Sequence, residues 1–375
     1  MKCKLSDICS FRRGKISVDK LNTNTYISTE NMLPNKGGIT EASSLPTVPL
    51  TQEYRKGDVL VSNIRPYFKK IWKAKYDSGC SNDVLVFAAN SNTDKDFLYY
   101  ILANDDFFAY SMATSKGTKM PRGDKTSIMQ YEVPVMDIEL QRRIASILKS
   151  IDKKIELNNA INNNLEQQAQ AIFKEWFIDN PENENWSNGT FSELIQSTLS
   201  GDWGKEAPTG NNTEKVYCVR GADIPEVKAG NKGKMPTRYI LPKNYASKKL
   251  TAGDIVVEIS GGSPTQSTGR CTAISESLLN RYDSGMVCTN FCRAIKPLSG
   301  YSMFIYYYWQ YLYDKGVFFS YENGTTGIKN LDISGFLGTE PIVIPPKEKV
   351  LAFDDYCQTV FDRKIGRASC RERVC

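Results

Sequence analysis

The chain has 375 residues, ten scattered cysteines, no histidine and a formal net charge of +6. This length predicts two or three globular domains. The lack of histidine excludes catalytic triads that contain a histidine. It also argues against a zinc site, so we expect no bound metal. No window is long and apolar enough to cross a membrane and the polar N-terminus has no signal core, so we expect a cytoplasmic protein with reduced thiols.

Residues 1–136 are predicted to form a first globular domain of short strands followed by an aromatic helix. Glycine, proline and asparagine punctuate the strand-like runs. The predicted elements, in chain order, are an amphipathic turn at 4–9, strands at 26–28, 58–62 and 83–87, a helix at 97–112, a polar loop at 115–126 and a closing strand at 132–135. We interpret the aromatic residues of the helix as core.

Residues 137–178 are predicted to form one long helix. Its apolar residues recur in alternating steps of four and three, which is typical of a helix that packs along its length against another helix. At about 1.5 Å per residue it would span roughly 60 Å, which favours a spacer between domains over a core helix of one domain. Asn158 and Asn162 occupy two positions of the apolar stripe, where a polar side chain can fix register.

Residues 187–346 are predicted to form a second domain that repeats the order of the first. Gly253–Val257 matches Gly57–Val61. The other matched elements are an opening element at 191–195, an aromatic helix at 303–313, a polar loop at 323–329 against 116–122, and a closing strand at 341–346. These four further matches, in the same order as in the first domain, indicate a duplicated domain.

A second long helix is predicted to begin at Lys347. It carries Val350, Phe353, Cys357 and Val360 on one face, which suits packing against the first long helix. Residues 365–375 differ abruptly from what precedes them and resemble the translation of a sequencing adapter. We therefore expect this tail to be non-native and the second helix to be cut short after 347–364.

Polar and basic segments flank the strand core of each predicted domain. Lysines and small hydroxyls suit phosphates, whereas arginine, asparagine and glutamine can contact base edges, so the pattern predicts a DNA interface. The candidates in the first domain are Arg12, Arg13, Lys15, Asn63, Arg65, Tyr67, Lys69, Lys70, Lys116, Thr118, Lys119, Arg122 and Lys125. Those in the second are Ser263, Thr265, Gln266, Thr268, Arg270, Asn323, Thr325, Thr326 and Lys329. A solvated basic loop explains the segment 63–70 nearly as well as DNA contact does.

Two alternatives to DNA recognition follow from the same residues. Asp202 with Glu226 and Lys228 can be arranged into a nuclease-like pattern, which would make the chain a self-contained restriction endonuclease. Such triplets are common by chance, and the chain has no Gly-rich phosphate cradle, so we assign no catalytic residue. The duplicated domains also suit a protein-interaction module that binds no DNA.

The duplicated plan resembles the specificity subunit of type I restriction–modification systems. The resemblance lies in Gly57–Ser62 and Gly253–Val257, in Gly324-Thr325 ahead of Leu331, and in the passage from a closing strand into a long helix; it covers residues 1–364. It implies an α+β fold with two target recognition domains, 1–136 and 187–346, separated by long helices that pack as an antiparallel coiled-coil-like spacer.

The resemblance also implies a function. Each domain would read one half of a split site on double-stranded DNA, and the chain would bind two methyltransferase subunits and the restriction and translocation subunits. S-adenosylmethionine, ATP and magnesium would be bound by those partners and not by this chain. Met120-Pro121-Arg122 departs from the usual apolar continuation after the first Gly-Thr. The seam of the helix pair would be formed by Ile144, Leu148, Ile151, Ile155, Leu165, Ala169 and Ile172.

Overall fold

A computed structural model describes residues 1–263, 265–324 and 328–372. The chain divides into two compact units, Met1–Lys153 and Lys154–Cys375, and the boundary falls inside the long central helix. That helix runs over Ile138–Phe173 and continues into a π-helical turn, Lys174–Ile178, so the helix predicted over 137–178 is confirmed. None of the helices in the described ranges has a stretch apolar and long enough for a membrane span.

The first unit combines short strands with helices of up to a few turns. Its strands are β1 (Lys2–Lys4), β2 (Cys9–Phe11), β3 (Lys15–Ser17), β4 (Leu50–Tyr54), β5 (Val59–Ser62), β6 (Ile71–Lys73), β7 (Ser78–Cys80), β8 (Val84–Ala89) and β9 (Glu132–Pro134). Its helices are α1 (Leu5–Ile8), α2 (Lys95–Ala103), α3 (Asp105–Ala113), α4 (Lys125–Ile128) and the start of the long helix α5 (Ile138–Phe173).

The main sheet of the first unit is antiparallel, with the strand order β2-β8-β5-β6. All four residues of β5 are buried, because both faces of the sheet are covered. Side chains alternate between faces along a strand. Val59 and Val61 accordingly pack into one apolar cluster with Leu98, whereas Leu60 packs into another with Trp72.

The aromatic segment of the first unit is two helices, so the prediction of one continuous helix over 97–112 is wrong. The chain breaks at Asn104, whose backbone is extended, with ψ of 142°. Its side-chain oxygen accepts a hydrogen bond from the backbone N–H of Asp106 at 3.1 Å and caps α3. The strand predicted at 26–28 is also wrong, because Ile27 makes only a single bridge, to Cys80.

The second unit contains the remaining elements. Its strands are β10 (Ser187–Thr190), β11 (Ile195–Ser200), β12 (Glu214–Val219), β13 (Thr237–Ile240), β14 (Ile255–Glu258), β15 (Ser260–Gly261), β16 (Cys271–Ala273), β17 (Met286–Cys288), β18 (Cys292–Pro297), β19 (Glu322–Asn323), β20 (Lys329–Leu331) and β21 (Pro341–Ile344). Its helices are the later part of α5, then α6 (Ile224–Lys228), α7 (Pro242–Lys248), α8 (Glu276–Leu279), α9 (Ser302–Asp314), α10 (Ile333–Thr339) and α11 (Lys347–Glu372).

The two units share one sheet plan. The main sheet of the second unit is antiparallel with the order β11-β18-β14-β16, which matches β2-β8-β5-β6 position by position. The turn before the central strand is also repeated: Gly57 and Gly253 have φ of 93° and 89°, a region that favours glycine. Asp58 and Asp254 then each accept a hydrogen bond at 2.8 Å from the backbone N–H three residues earlier. The predicted duplication is therefore confirmed.

Each repeated aspartate is neutralised by a cation. Asp58 is 1 % exposed and accepts two hydrogen bonds from the guanidinium of Arg12, one of them at 2.7 Å. Asp254 is 3 % exposed and pairs with Lys296 at 2.9 Å. Burying a carboxylate without a partner is costly, so these pairs hold the turn that leads into each central strand.

We expect Asp58→Asn to weaken the first unit by about 2–4 kcal/mol, because the guanidinium of Arg12, with only 20 % of its side chain exposed, loses its counter-charge. Hydrogen exchange at the amides of β5 measures this locally. The exposed carboxylate Asp19 is the matched control, and Asp19→Asn should change stability by at most about 0.5 kcal/mol. Equal protection of the β5 amides in the two variants would contradict the structural role of the pair.

Within the second unit, α11 packs antiparallel against the later part of α5. Asn162 donates a hydrogen bond to the carbonyl of Lys364 at 3.3 Å, and the rings of Phe173 and Phe353 lie 5.8 Å apart. Residue numbers rise along one helix while they fall along the other, so the predicted antiparallel pairing is confirmed. The predicted apolar face of α11 is buried as well; its members are Val350, Phe353, Cys357 and Val360.

The residues predicted for the helix-pair seam differ in burial. Ala169 is buried in the main core of the second unit, and Leu165 and Ile172 pack against that core half-buried. The others, Ile144, Leu148, Ile151 and Ile155, are half-buried along α5. The start of α5 is instead fixed to the first unit by hydrogen bonds, such as that from the hydroxyl of Tyr100 to Asp152 at 2.8 Å.

Candidate nucleic-acid interface

In the first unit, two of the predicted binding segments lie side by side at the end of β5. The backbone N–H of Arg65 donates to the carbonyl of Pro121 at 2.8 Å, and that of Gly123 donates to the carbonyl of Asn63 at 3.1 Å. The segment 63–70 and the loop 116–125, which we name the Gly-Thr loop after Gly117 and Thr118, thus form one surface although they are about fifty residues apart in sequence. We name these residues, 63–70 and 116–125, the first loop pair.

The second unit joins the equivalent segments in the same way. After the central strand β14, the short strand β15 pairs with β20, so that Ser260 lies opposite Asn330. The backbone N–H of Leu331 donates to the carbonyl of Ile259 at 2.8 Å. We name the described residues of 259–270 and 322–331 the second loop pair. Each unit therefore presents two polar segments together, at the equivalent end of its own main sheet.

Several cations of the first loop pair make exposed ion pairs. Lys69 lies 2.8 Å from Asp105, Lys116 lies 2.6 Å from Asp124, and Arg122 lies 3.3 Å from Asp83. Asp105 and Asp83 lie outside the loop pair, whereas Asp124 belongs to its second segment. Hydrogen bonds from lysines lower the pKa of both Asp105 and Asp124 to about 2. Exposed pairs contribute little stability, so these cations can exchange a carboxylate for a phosphate at small cost.

Two predicted arginines are instead used inside the protein. Arg12 is committed to the buried Asp58, as described above. Arg270 makes two hydrogen bonds, at 2.8 and 2.6 Å, to Glu258, which is 7 % exposed. Charge-assisted pairs with this geometry are strong, so both guanidinium groups serve the fold, and the expectation that they are available for DNA has to be corrected accordingly.

Two more of the predicted contact residues bind the carboxylate of Glu322 inside the protein. Thr268 is fully buried and donates its hydroxyl to Glu322 at 3.0 Å, so it has no surface to offer a ligand. Lys329 lies 2.6 Å from the same carboxylate, only 4 % of which is exposed. Burial raises the pKa of Glu322, but the hydrogen bonds from Lys329 and Thr268 outweigh it and lower the pKa overall. Removing Lys329 would therefore cost stability as well as charge.

The other predicted residues remain accessible or incompletely bonded. Asn63 Oδ1 and Arg65 Nε are buried without a hydrogen-bond partner in the protein, which leaves bonding capacity inside the first loop pair. The hydroxyl of Ser263 accepts a hydrogen bond from the backbone of Gln266 at 3.0 Å and shapes that turn. The exposed members are Arg13, Lys15, Tyr67, Thr118, Lys119, Lys125, Thr265, Gln266 and Asn323. Thr325 and Thr326 lie outside the described residues.

Phe68, which was not among the predicted residues, lies beside Tyr67 on the surface of the first loop pair. Its ring is 37 % exposed and its centroid is 4.6 Å from that of Tyr67. Lys70 was predicted as a contact, and its ammonium donates to the carbonyl of Thr29 at 2.6 Å. Burial lowers the pKa of Lys70. The available signal was a proline followed by two aromatic residues in a basic loop.

The residues of the nuclease-like pattern each have a local structural partner. Asp202 accepts a hydrogen bond from Asn244 at 2.7 Å, and Glu226 accepts one from Asn231 at 2.9 Å. The backbone carbonyl of Lys228 accepts a hydrogen bond from a lysine of α11. Within 1–263, 265–324 and 328–372, no three acidic, cysteine or histidine side chains are grouped as metal ligands.

Comparison with known proteins identifies similar sequences and a similar fold. Residues 1–167 match the family described as "Type I restriction modification DNA specificity domain". The chain is 33% identical over 162 residues to the "Type I restriction enzyme HindI specificity subunit" of Haemophilus influenzae, covering 41% of this chain and 35% of that protein. It is 26% identical over 170 residues to the EcoDI specificity subunit of Escherichia coli, covering 41% and 38%. These matches span little more than a third of each relative.

A solved structure extends the similarity of the fold to the whole chain. The crystal structure of a type I restriction–modification S subunit from M. genitalium has a TM-score of 0.57 and 15% sequence identity. The similarity covers 100% of this chain and 93% of that chain. It shows a shared fold.

Proposed function

We propose that the chain, whose residues 1–167 match the family described as "Type I restriction modification DNA specificity domain", is a sequence-recognition subunit that reads a bipartite site on double-stranded DNA. One observation carries this proposal. In each unit, the polar segment after the central strand lies against the Gly-Thr loop or its equivalent, at the corresponding end of that unit's main sheet. A duplicated sheet with duplicated polar loops suits a ligand that is contacted twice.

We assign one half of the site to the first loop pair and the other half to the second. Arg65, Asn63 and Gln266 have the side-chain types that make paired hydrogen bonds to base edges. Exposed lysines such as Lys119 suit phosphates, which fix position without reading sequence. Splitting recognition between two units sums two modest sets of contacts on one ligand.

The chain acts, in this proposal, within an assembly and without catalysis of its own. Two methyltransferase subunits would modify adenine, and restriction and translocation subunits would cut DNA. S-adenosylmethionine, ATP and magnesium would be bound by those subunits. The assembly would work in the cytoplasm, where the host DNA is.

Base-reading and phosphate-binding residues can be separated by two substitutions. We expect Lys119→Ala to weaken binding to all duplexes and to reduce the salt slope by about 1, because one phosphate contact is lost. Arg65→Ala should instead reduce the discrimination between the target and other duplexes by about 1–3 kcal/mol. Binding measured on target and non-target DNA at several salt concentrations distinguishes the two effects. Uniform weakening in both variants would remove Arg65 from the base readers.

The function itself is tested by selecting bound duplexes from a random DNA library with the full chain, alone and with a cognate methyltransferase. We expect two conserved sequence blocks separated by a gap of constant length. No enrichment at any salt concentration would contradict the proposal and favour a protein-interaction module. Nicking by the purified chain with magnesium alone, lost in Asp202→Ala, would favour a self-contained endonuclease.

A further inference from the structure

The strained backbone positions of the first unit are concentrated in one place. Among the described residues of the chain, the non-glycine positions with positive φ are Asn35, Lys36, Arg65 and Lys69, with values of 53°, 61°, 51° and 51°. Such conformations persist only where the surrounding structure holds them, and they are concentrated at functional sites. Here they come from two loops, 33–36 and 65–69, that touch each other.

Hydrogen bonds and ion pairs hold these two loops together. The backbone N–H of Asn35 donates to the carbonyl of Phe68 at 2.7 Å, and that of Lys36 donates to the carbonyl of Lys69 at 2.9 Å. Asp105, in α3, pairs with both Lys36 at 2.9 Å and Lys69 at 2.8 Å. On its other side, the turn is fixed to the Gly-Thr loop through Arg65. The turn 65–69 is therefore anchored on two sides.

This anchored turn displays two aromatic rings. Pro66 is buried at its base, whereas Tyr67 is 48 % and Phe68 is 37 % exposed. Large aromatic rings are more often buried than exposed, so two exposed rings side by side are an informative feature of this surface. The ammonium of Lys70 lies 5.8 Å from the ring of Phe68, so apolar rings and positive charge occur together. Rigid rings beside cations suit a ligand that offers both flat apolar surfaces and phosphates.

We propose that the turn 65–69 is an aromatic wedge, in which Tyr67 and Phe68 insert at one base step of double-stranded DNA and partly unstack it. This inference rests on the proposed function and adds a second kind of recognition to it. Apolar and aromatic side chains that enter a duplex kink it, and pyrimidine–purine steps deform most easily. The wedge would select a deformable step without any hydrogen bond to a base, while Lys36 and Lys69 hold the flanking phosphates.

The wedge belongs to one unit only. The equivalent loop between β14 and β16 of the second unit, residues 259–270, contains no tryptophan, tyrosine or phenylalanine. The two half-sites would therefore differ, with one deformed and the other read on undistorted DNA. This asymmetry supplies an internal control.

The test uses the full chain and duplexes with 2-aminopurine placed in turn at each step of the selected target. We expect binding to raise the fluorescence at one step, and at that step only, in the half-site read by the first unit. The double variant Tyr67→Ala with Phe68→Ala should lose this rise and bind the target roughly tenfold more weakly. Phe319→Ala, which removes a ring of the second unit that is 44 % exposed, is the matched control and should keep the fluorescence rise and the affinity for the target.

Further variants and duplexes separate insertion from a role in folding. Tyr67→Leu with Phe68→Leu keeps an apolar wedge and should keep most of the fluorescence rise, at an unchanged melting temperature. A stiff A-tract in place of the deformable step should weaken binding of the wild type and not of the alanine variant. Tight specific binding without any fluorescence rise would overturn the wedge and leave the proposed function standing. If the wild type bound no duplex specifically, both the wedge and the proposed function would be overturned.

Discussion

Glu166→Leu is expected to lower the free energy of unfolding of the second unit by about 3–5 kcal/mol. The carboxylate of Glu166 lies 2.7 Å from the ammonium of Lys364, and these side chains are only 13 % and 3 % exposed. Replacing the carboxylate leaves a buried positive charge that keeps its hydrogen bond to the carbonyl of Lys228 but loses its counter-charge. The cost arises from that unpaired charge, since a buried pair with both partners present adds little net stability.

The double variant tests this explanation. Glu166→Leu with Lys364→Met replaces both charges by apolar groups of similar size and should return stability to within about 1–2 kcal/mol of the wild type. The exposed pair of Lys174 and Asp179 provides the control, and Lys174→Met should cost at most about 1 kcal/mol. Urea unfolding followed by tryptophan fluorescence reports on the second unit, because four of the five tryptophans lie in it. A single variant as stable as the wild type would contradict a buried pair between α5 and α11.

Trp309→Ala is expected to cost about 3–5 kcal/mol, because the side chain is fully buried and its removal leaves a large cavity. The indole ring lies 4.8 Å from the ring of Phe318 and 4.7 Å from that of Phe336, measured between centroids. Its N–H donates to the carbonyl of Gly269 at 2.7 Å. Trp309 therefore supports both the core of the second unit and the backbone of the second loop pair.

Trp309→Phe separates these two roles. It keeps most of the apolar volume but leaves the carbonyl of Gly269 without its donor, at a cost of about 1–3 kcal/mol. We expect faster hydrogen exchange in residues 265–270 and weaker discrimination in the half-site of the second unit alone. The control is Trp203→Phe, at a tryptophan that is 37 % exposed. If Trp309→Phe changed both half-sites equally, the link from the core to this loop would be lost.

Much of the fold follows from patterns that act over short distances. The long helix has a sustained period of apolar residues, and the duplication repeats whole elements in order, so both were predictable. The break between α2 and α3 was not, because one side-chain hydrogen bond, from Asn104, decides between a continuous helix and a new one. The period of the apolar residues is nearly the same for one continuous helix as for two successive helices.

The site was predictable as segments but not as side chains. The polar loops were identified, and the structure brings them together in pairs. Which cations remain available depends on partners distant in sequence, as for Arg12 and Asp58, which are 46 residues apart. The anchored turn at Tyr67 depends on left-handed backbone at two non-glycine residues, and local composition gives no sign of it.

In the proposed function, each unit reads its own half of one DNA site. The most direct measurement maps methylated adenines in the DNA of cells that produce the chain with a cognate methyltransferase, for the wild type and for Arg65→Ala and Gln266→Ala. The wild type should yield one split motif, with Arg65→Ala relaxing one half only and Gln266→Ala the other half only. An unsplit motif, or both halves relaxed by either substitution, would contradict recognition by two separate units.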